Sequence, residues 1–194
     1  MKILQLGKFY PVQGGVEKVM FDLMSGLDKY YPDVSCDMMC VAANNQPFIQ
    51  NIGNRSKLYC ARLNKKLFST MLSVEIITKL RKICNDYDII HIHHPDPMVA
   101  LALKLSGYKG HVVLHWHSDI LKQKLLLKLY RPLQEWLIKR ADLIIGTTPK
   151  YLEESPHLKS FYKRKVSIPI GITEIKMVGE KYNPIKSLYK DKKI

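Results

Sequence analysis

The residues best suited to chemistry stand in three places. Gly14-Gly15 open a stretch with helical apolar spacing, and Glu17 and Lys18 follow at once. His91, His93 and His94 close one short apolar run, and His115-Trp116-His117-Ser118-Asp119 closes another. Paired glycines at a helix start present bare backbone N–H groups and the positive end of the helix dipole. A diphosphate or a sugar hydroxyl can approach such a surface closely. A neutral imidazole at position 117 can bond a sugar hydroxyl or place polarity beside a reacting carbon. Asp119 can orient His117, hold an acceptor hydroxyl or cap the next helix. His115 and His117 share a strand face by two-residue alternation. His115 lies deeper and reads as a core histidine with satisfied hydrogen bonds.

Other chemistries fit less well. A dinucleotide fingerprint needs a third glycine at fixed spacing, and Gly7 lies too far upstream; no GK[ST] follows to make a phosphate-binding P-loop. The HxH pairs at 91/93 and 115/117 fit imidazole ligation of zinc, so a histidine-based metal hydrolase is one alternative. Only Asp96 and Asp119 stand near them, and no HExxH occurs, so no metal ligand is assigned. Retaining glycoside hydrolases need two carboxylates about 5 Å apart, and no such pair stands at the strand ends.

The elements that must hold these residues alternate. Lys2–Leu6 reads as a strand. Val16, Val19, Met20, Leu23 and Leu27 recur at helical spacing, so a helix spans Gly15–Tyr31 and stops at Pro32-Asp33. Strands follow at Ser35–Ala43 and Lys57–Leu63, with a polar loop over Asn44–Arg55 between them. Ser73–Tyr87 reads as a helix, Asp88–Ile92 as a strand ending before His93-His94-Pro95, and Asp96–Ser106 as a helix closed by Gly107. His111–Trp116 is a strand, Leu121–Arg140 a long basic helix, Asp142–Thr147 a strand, Tyr151–Tyr162 a helix and Lys165–Ile168 a last strand. This alternation gives an α/β fold: a Rossmann-like, doubly wound parallel sheet with ligands at the carboxyl ends of its strands. All three candidate places lie at such ends. Residues 1–172 form this domain, and the lysine-rich 173–194 reads as a linker.

Composition narrows the class. An apolar fraction of 46% supports a packed core. No run reaches the roughly 18 apolar residues of a membrane-spanning helix, and Met1–Leu6 is too short for a signal sequence. The four cysteines lack CxxC spacing and read as reduced core residues of a cytoplasmic protein. The net charge is +14, and all of the excess falls after residue 50. Such a field draws phosphate-bearing substrates or anionic lipid. Arg55, Lys57, Arg62, Lys65 and Lys66 precede Leu67, Phe68, Met71 and Leu72, which form either a membrane-surface patch or residues packed on the sheet. No nucleic-acid-binding signature accompanies the charge.

One family shares these features. Val112-Val-Leu-His-Trp-His-Ser-Asp-Ile120, Gln123, Leu129-Tyr-Arg-Pro132, Arg140-Ala-Asp142, Thr147-Thr-Pro149 and Ile168-Pro-Ile-Gly-Ile172 together resemble the amino-terminal lobe of a retaining, family 4 glycosyltransferase of the GT-B fold. They are most similar to mannosyltransferase-like members that build bacterial surface polysaccharide. The resemblance implies that Gly14 and Gly15 approach the donor diphosphate and sugar, and that His117 contacts the transferred sugar. It places Asp119 in the acceptor region and makes Gly171 a hinge toward a donor-binding lobe; Glu17 and Lys18, in the first turn and within reach of a sugar or phosphate, and Ser118, beside Asp119, are the further acceptor candidates. It implies a nucleoside-diphosphate sugar, with mannose one candidate, and a glycan or lipid-linked acceptor. No cofactor or metal is needed. The expected setting is cytoplasmic, peripheral on the inner face of the membrane. The donor-binding lobe has no counterpart in these residues, so the expectation is an acceptor-binding half that is inactive alone. The alternative in another class is a non-catalytic module that binds a partner or a membrane.

Overall fold

The computed structural model describes residues 1–67, 70–120, 124–159 and 161–171, without the side chains of 124–127. In chain order the elements are β1 (Lys2–Tyr10), α1 (Gly15–Tyr30), β2 (Ser35–Ala42), β3 (Phe48–Ile52), β4 (Ser56–Ala61), β5 (Lys65–Leu67), β6 (Thr70–Leu72) and α2 (Val74–Ile83). After a single 3-10 turn come β7 (Ile89–His94), α3 (Pro97–Ser106), β8 (His111–Trp116), α4 (Lys124–Arg140), β9 (Leu143–Gly146), α5 (Pro149–Glu154) and β10 (Arg164–Ser167).

Eight strands form one sheet in the order β10-β9-β8-β7-β1-β2-β4-β3. Every pair is parallel except the β3–β4 hairpin at the edge. The strand order reverses between β1 and β7, which is where an open α/β sheet gathers ligands.

Local chemistry sets the helix ends. Ser73 caps α2 by accepting from the Ile76 amide. Asp96 caps α3 by accepting from Met98 and Val99, with Pro97 in the first turn, and Gly107 ends that helix at φ 76°. Thr148 caps α5. The carboxyl end of β7 is therefore coupled tightly to the start of α3.

The two sheet faces pack differently. Leu4, Leu6, Ile90, Ile92, Val112 and Leu114 meet α2, α3 and α4 in the larger core. Each fully buried Leu or Ile there contributes about 1.5–3 kcal/mol. The opposite face carries α1, whose Met20 and Met24 lie on Cys36, Met38, Cys40, Leu58 and Cys60. All four cysteines are free and buried, as the sequence predicts. Gly7 lets α1 come close, because a Cβ there would sit 2.1 Å from Met20 Sδ.

Several elements depart from the sequence expectation. The stretch expected as a loop over Asn44–Arg55 contains β3, turned into β4 through Gly53 at φ 64°. Asp28 explains that turn: it accepts from the amides of Asn54 and Arg55, and the Arg55 guanidinium bonds the carbonyls of Asp28 and Pro32. Arg55 is thereby committed inside the fold. Met71 is buried and Leu72 packs on the core, while Leu67 is exposed. The basic-apolar stretch is thus divided between core and surface. The helix of Ser73–Tyr87 ends at Ile83, the one expected over 151–162 is the shorter α5, and His93 and His94 belong to β7. Among the described residues no helix is long and apolar enough to cross a membrane. The linker expected at 173–194 lies outside the described residues.

Candidate functional site

β7 and β8 run side by side with His93 opposite His115 and His94 opposite Trp116. Alternation then divides the histidines. His94 turns toward α4, stacks on Trp116 at 3.7 Å and lies 3.2 Å from Gln134 Nε2. His91, His93, His115 and His117 turn to the α1 side.

These four rings form a stack. His115 and His117 centroids are 4.0 Å apart, and His91 and His115 are 5.5 Å apart at an interplanar angle of 2°. His93 bridges inward: its Nδ1 lies 2.9 Å from His117 Nε2 and its Nε2 3.0 Å from Gln5 Oε1 on β1. Gln5 in turn donates to the Met20 carbonyl of α1. His117 is thus tied through β7 and β1 to the helix that begins at the glycine pair.

Burial disfavours the charged form of every member. It pushes His91 and His117 down to about 4, His115 to about 2 and His94 on the other face to about 3. Burial holds His93 well below its ordinary range too. At neutral pH the rings are uncharged. His115 departs from expectation: it is buried, but neither ring nitrogen has a hydrogen-bond partner. Its rings above and below supply stacking instead of polar contacts.

Nitrogens of His91, His93 and His115 fall within 4.8 Å of one another. Zinc at about 2.0–2.1 Å from each ligand needs lone pairs that converge on one point. In the stack the rings of His91 and His115 lie parallel, 5.5 Å apart. His93 already spends both ring nitrogens on Gln5 and His117, so an ion on this trio would cost one of those bonds.

The other predicted residues fall as follows. Gly14 is the extended residue before α1, and a Cβ there would meet Glu17 Oε2 at 2.6 Å. Glu17, buried, folds back over that glycine. Gly15 is different: a Cβ would meet nothing within 4 Å. The chain's own packing gives no reason for a glycine there, so its bareness is available to a ligand. Gly15→Ala is therefore expected to keep or raise the stability of this chain, by about 0.4–1 kcal/mol at most. Gly15→Val, carrying a branched side chain at the helix mouth, is expected to abolish donor use in a complete enzyme while the chain still folds. Donor titration beside thermal melting checks both.

Lys18 pairs with Asp22 at 2.7 Å along the exposed face of α1. Ser118 is exposed and His117 half-buried. Asp119 is partly committed to the scaffold. Its Oδ1 accepts from Trp116 Nε1 at 2.9 Å and from Ser155 Oγ at 3.0 Å, and its amide donates to the Tyr151 hydroxyl at 2.6 Å. This brace fixes the turn on which His117 and Ser118 stand. Gly171 is exposed at the last described position, with open space around it. A cavity of about 530 Å³ lies on the α1 side, with Val19, Leu23, His115 and Ile168 to Gly171 among its walls.

Sequence reasoning missed Gln5, although a glutamine in the middle of the apolar run Lys2–Leu6 was the signal. A buried amide must find partners, and these partners lead to His117.

The family model described as Glycosyltransferase Family 4 matches residues 13–172. The chain belongs to glycosyltransferase family 4. Among curated family relatives, it is 31% identical over 179 residues to O-antigen chain mannosyltransferase C of Escherichia coli, covering 90% of this chain and 47% of that protein. It is 28% identical over 174 residues to D-rhamnosyltransferase WbpZ of Pseudomonas aeruginosa, covering 89% and 45%. The chain spans about half the length of the curated relatives it matches. Two solved structures share the fold. A sucrose-phosphate synthase chain from Thermosynechococcus elongatus superposes with TM-score 0.57 at 12% identity, covering 89% of this chain and 91% of that one. Anabaena Alr3699/HepE in complex with UDP-glucose gives 0.54 at 14%, covering 98% and 49%. This family 4 chain is one Rossmann-like lobe of the GT-B kind.

Proposed function

We propose that this lobe binds the acceptor, and part of the donor, for transfer of a sugar from a nucleoside diphosphate. The observation that carries the reading is one juxtaposition. The bare amide end of α1 follows the carboxyl end of β1, and a neutral, half-buried His117 follows the carboxyl end of the parallel strand β8 on that same side. Amides and dipole suit a diphosphate, and the imidazole suits a hydroxyl. Helix amides and cationic side chains carry the phosphate charge, so the scheme calls for no metal or cofactor.

By family likeness the anomeric configuration is retained. The bond from the anomeric carbon to the diphosphate breaks as the acceptor oxygen bonds the same face, and the acceptor's proton leaves with the phosphate. The name of the E. coli relative favours mannose as the sugar and an O-antigen-like glycan as the acceptor; a lipid-linked form of that glycan is part of this proposal. In this reading Ser118, Lys18 and Asp119 serve the acceptor, Glu17 acts from its buried place against Gly14, and Gly171 leads toward the donor-binding lobe.

The relatives are about twice as long, and a second lobe would supply most of the nucleotide site. Residues 1–194 alone are therefore expected to show no turnover with GDP-mannose and weak donor binding. A two-lobe protein carrying these residues is expected to transfer sugar. Turnover by 1–194 alone would refute the assignment of this lobe as a half-site.

The positive charge after residue 50, with Lys65, Lys66 and the exposed Leu67 on one hairpin, supports docking at the anionic inner face of a membrane. The chain is expected to sediment with phosphatidylglycerol vesicles at low salt and to be released at high salt. Absence of binding at low salt removes the membrane partner.

A further inference from the structure

The hydrogen-bond directions in the Gln5–His93–His117 chain are fixed from its inner end. Gln5 is fully buried. Its Nε2 lies 2.9 Å from the Met20 carbonyl and 3.3 Å from Cys36 Sγ. A carbonyl only accepts, so the nitrogen must stand there and Oε1 must face His93. Oε1 also only accepts, so the hydrogen between them sits on His93 Nε2. A neutral imidazole carries one hydrogen, which leaves His93 Nδ1 a bare lone pair. His117 Nε2, 2.9 Å away, must then donate. His117 keeps its own lone pair on Nδ1, which no described residue occupies.

We infer that Gln5 and His93 are positioning residues that hold His117 in its Nε2–H form, so that Nδ1 accepts a hydrogen bond from one sugar hydroxyl. The sugar contact rests on the reading that His117 meets the substrate; the tautomer does not. The consequence is a selectivity rule. Only a donor pairs with Nδ1, so the substrate must bring an O–H there. A sugar carrying hydrogen or fluorine at that carbon leaves the lone pair unmatched.

Gln5 matters because the chain can run in either direction. With Oε1 gone, His93 can move its hydrogen to Nδ1 and point it at His117. His117 would then carry Nδ1–H, and the substrate hydroxyl would meet a donor instead of an acceptor.

Nitrogen NMR of the imidazoles in residues 1–194, at a pH where all are neutral, reads the tautomer directly. His93 and His117 are each expected as Nε2–H in the wild type. Gln5→Glu, which keeps an accepting oxygen, preserves this, and Gln5→Met introduces Nδ1–H at His117. A mixed or Nδ1–H His117 in the wild type overturns the relay, as does an unchanged Gln5→Met spectrum. Should Gln5→Met fail to fold, the wild-type spectrum alone decides. In a two-lobe enzyme, Gln5→Met is expected to lower kcat about tenfold, with donor KM held within about twofold, as for other partners that orient a functional imidazole. Deoxy and deoxyfluoro donors and acceptors identify the hydroxyl. One position should cost the wild type at least about tenfold and cost His117→Ala nothing further. The expected tautomer with no such position overturns the sugar contact, and with it the reading of His117. That outcome is distinct from failure of the relay.

Discussion

His117→Ala, in a two-lobe protein carrying these residues, is expected to lower turnover by about 10²–10⁴-fold, the range for losing a positioned proton-handling or polar group at a reaction centre. The fold should survive. The ring is half-buried at the open end of a histidine stack, and its loss removes one hydrogen bond to His93. The main-chain bond from the His117 amide to the His94 carbonyl, at 3.2 Å, remains. Steady-state kinetics beside thermal melting separates the two effects. Near-normal turnover removes His117 from the site. Lost turnover with a collapsed melting transition makes it a structural residue.

Acid is expected to unfold the chain early and steeply. Five histidines are held neutral by burial: His91 and His117 at about 4, His94 at about 3, His115 at about 2, and His93 well below its ordinary range. In the unfolded chain each titrates near 6.5. Between these limits the unfolded state binds more protons, so stability is complete above about pH 6.5 and falls as pH drops toward 4. Each proton contributes a slope of up to about 1.4 kcal/mol per pH unit. Asp96 opposes this in part. Burial raises it to about 6, so the folded state takes up its proton first and gains between pH 6 and 4. Five groups against one leave a net loss of several kcal/mol per pH unit, against a total of about 5–15 kcal/mol for a domain. Circular dichroism of metal-free chain should show a cooperative transition with its midpoint above pH 4, made shallower by His115→Leu. A chain still folded at pH 3 would show that the stack accepts charge.

The sequence was legible where one rule acted alone. β8 begins at His111 and ends at Trp116 as its apolar run predicts, and Gly107 ends α3 because only its positive φ suits that turn. The alternation of strand and helix was enough for a parallel sheet. The misses share a physical cause: each depends on a partner distant in the chain. β3 is a short edge strand in an otherwise polar stretch, held by β4 and by the turn that Asp28 gathers from 26 residues away. Asp119 reads as an orienter of His117, an acceptor ligand or a helix cap, yet Ser155 and Trp116 share one of its oxygens. His115 was expected to have satisfied nitrogens, and only the neighbouring strand shows that rings replace those partners. Gln5 announces itself as polar, but its meaning depends on His93, 88 positions later.

The cushion beneath α1 has a mechanical meaning. Met20, Met24, Met38, Cys36, Cys40 and Cys60 supply most of its fully buried centre, with Ala42 and Leu58, and partly buried carbon side chains such as Ile3, Val16 and Leu27 surround them. Thioethers have many shallow conformers and re-form their contacts after small displacements. With sulfur at the centre of its seat, α1 is expected to absorb small displacements of its amide end at lower cost than a helix seated on branched aliphatic carbon alone.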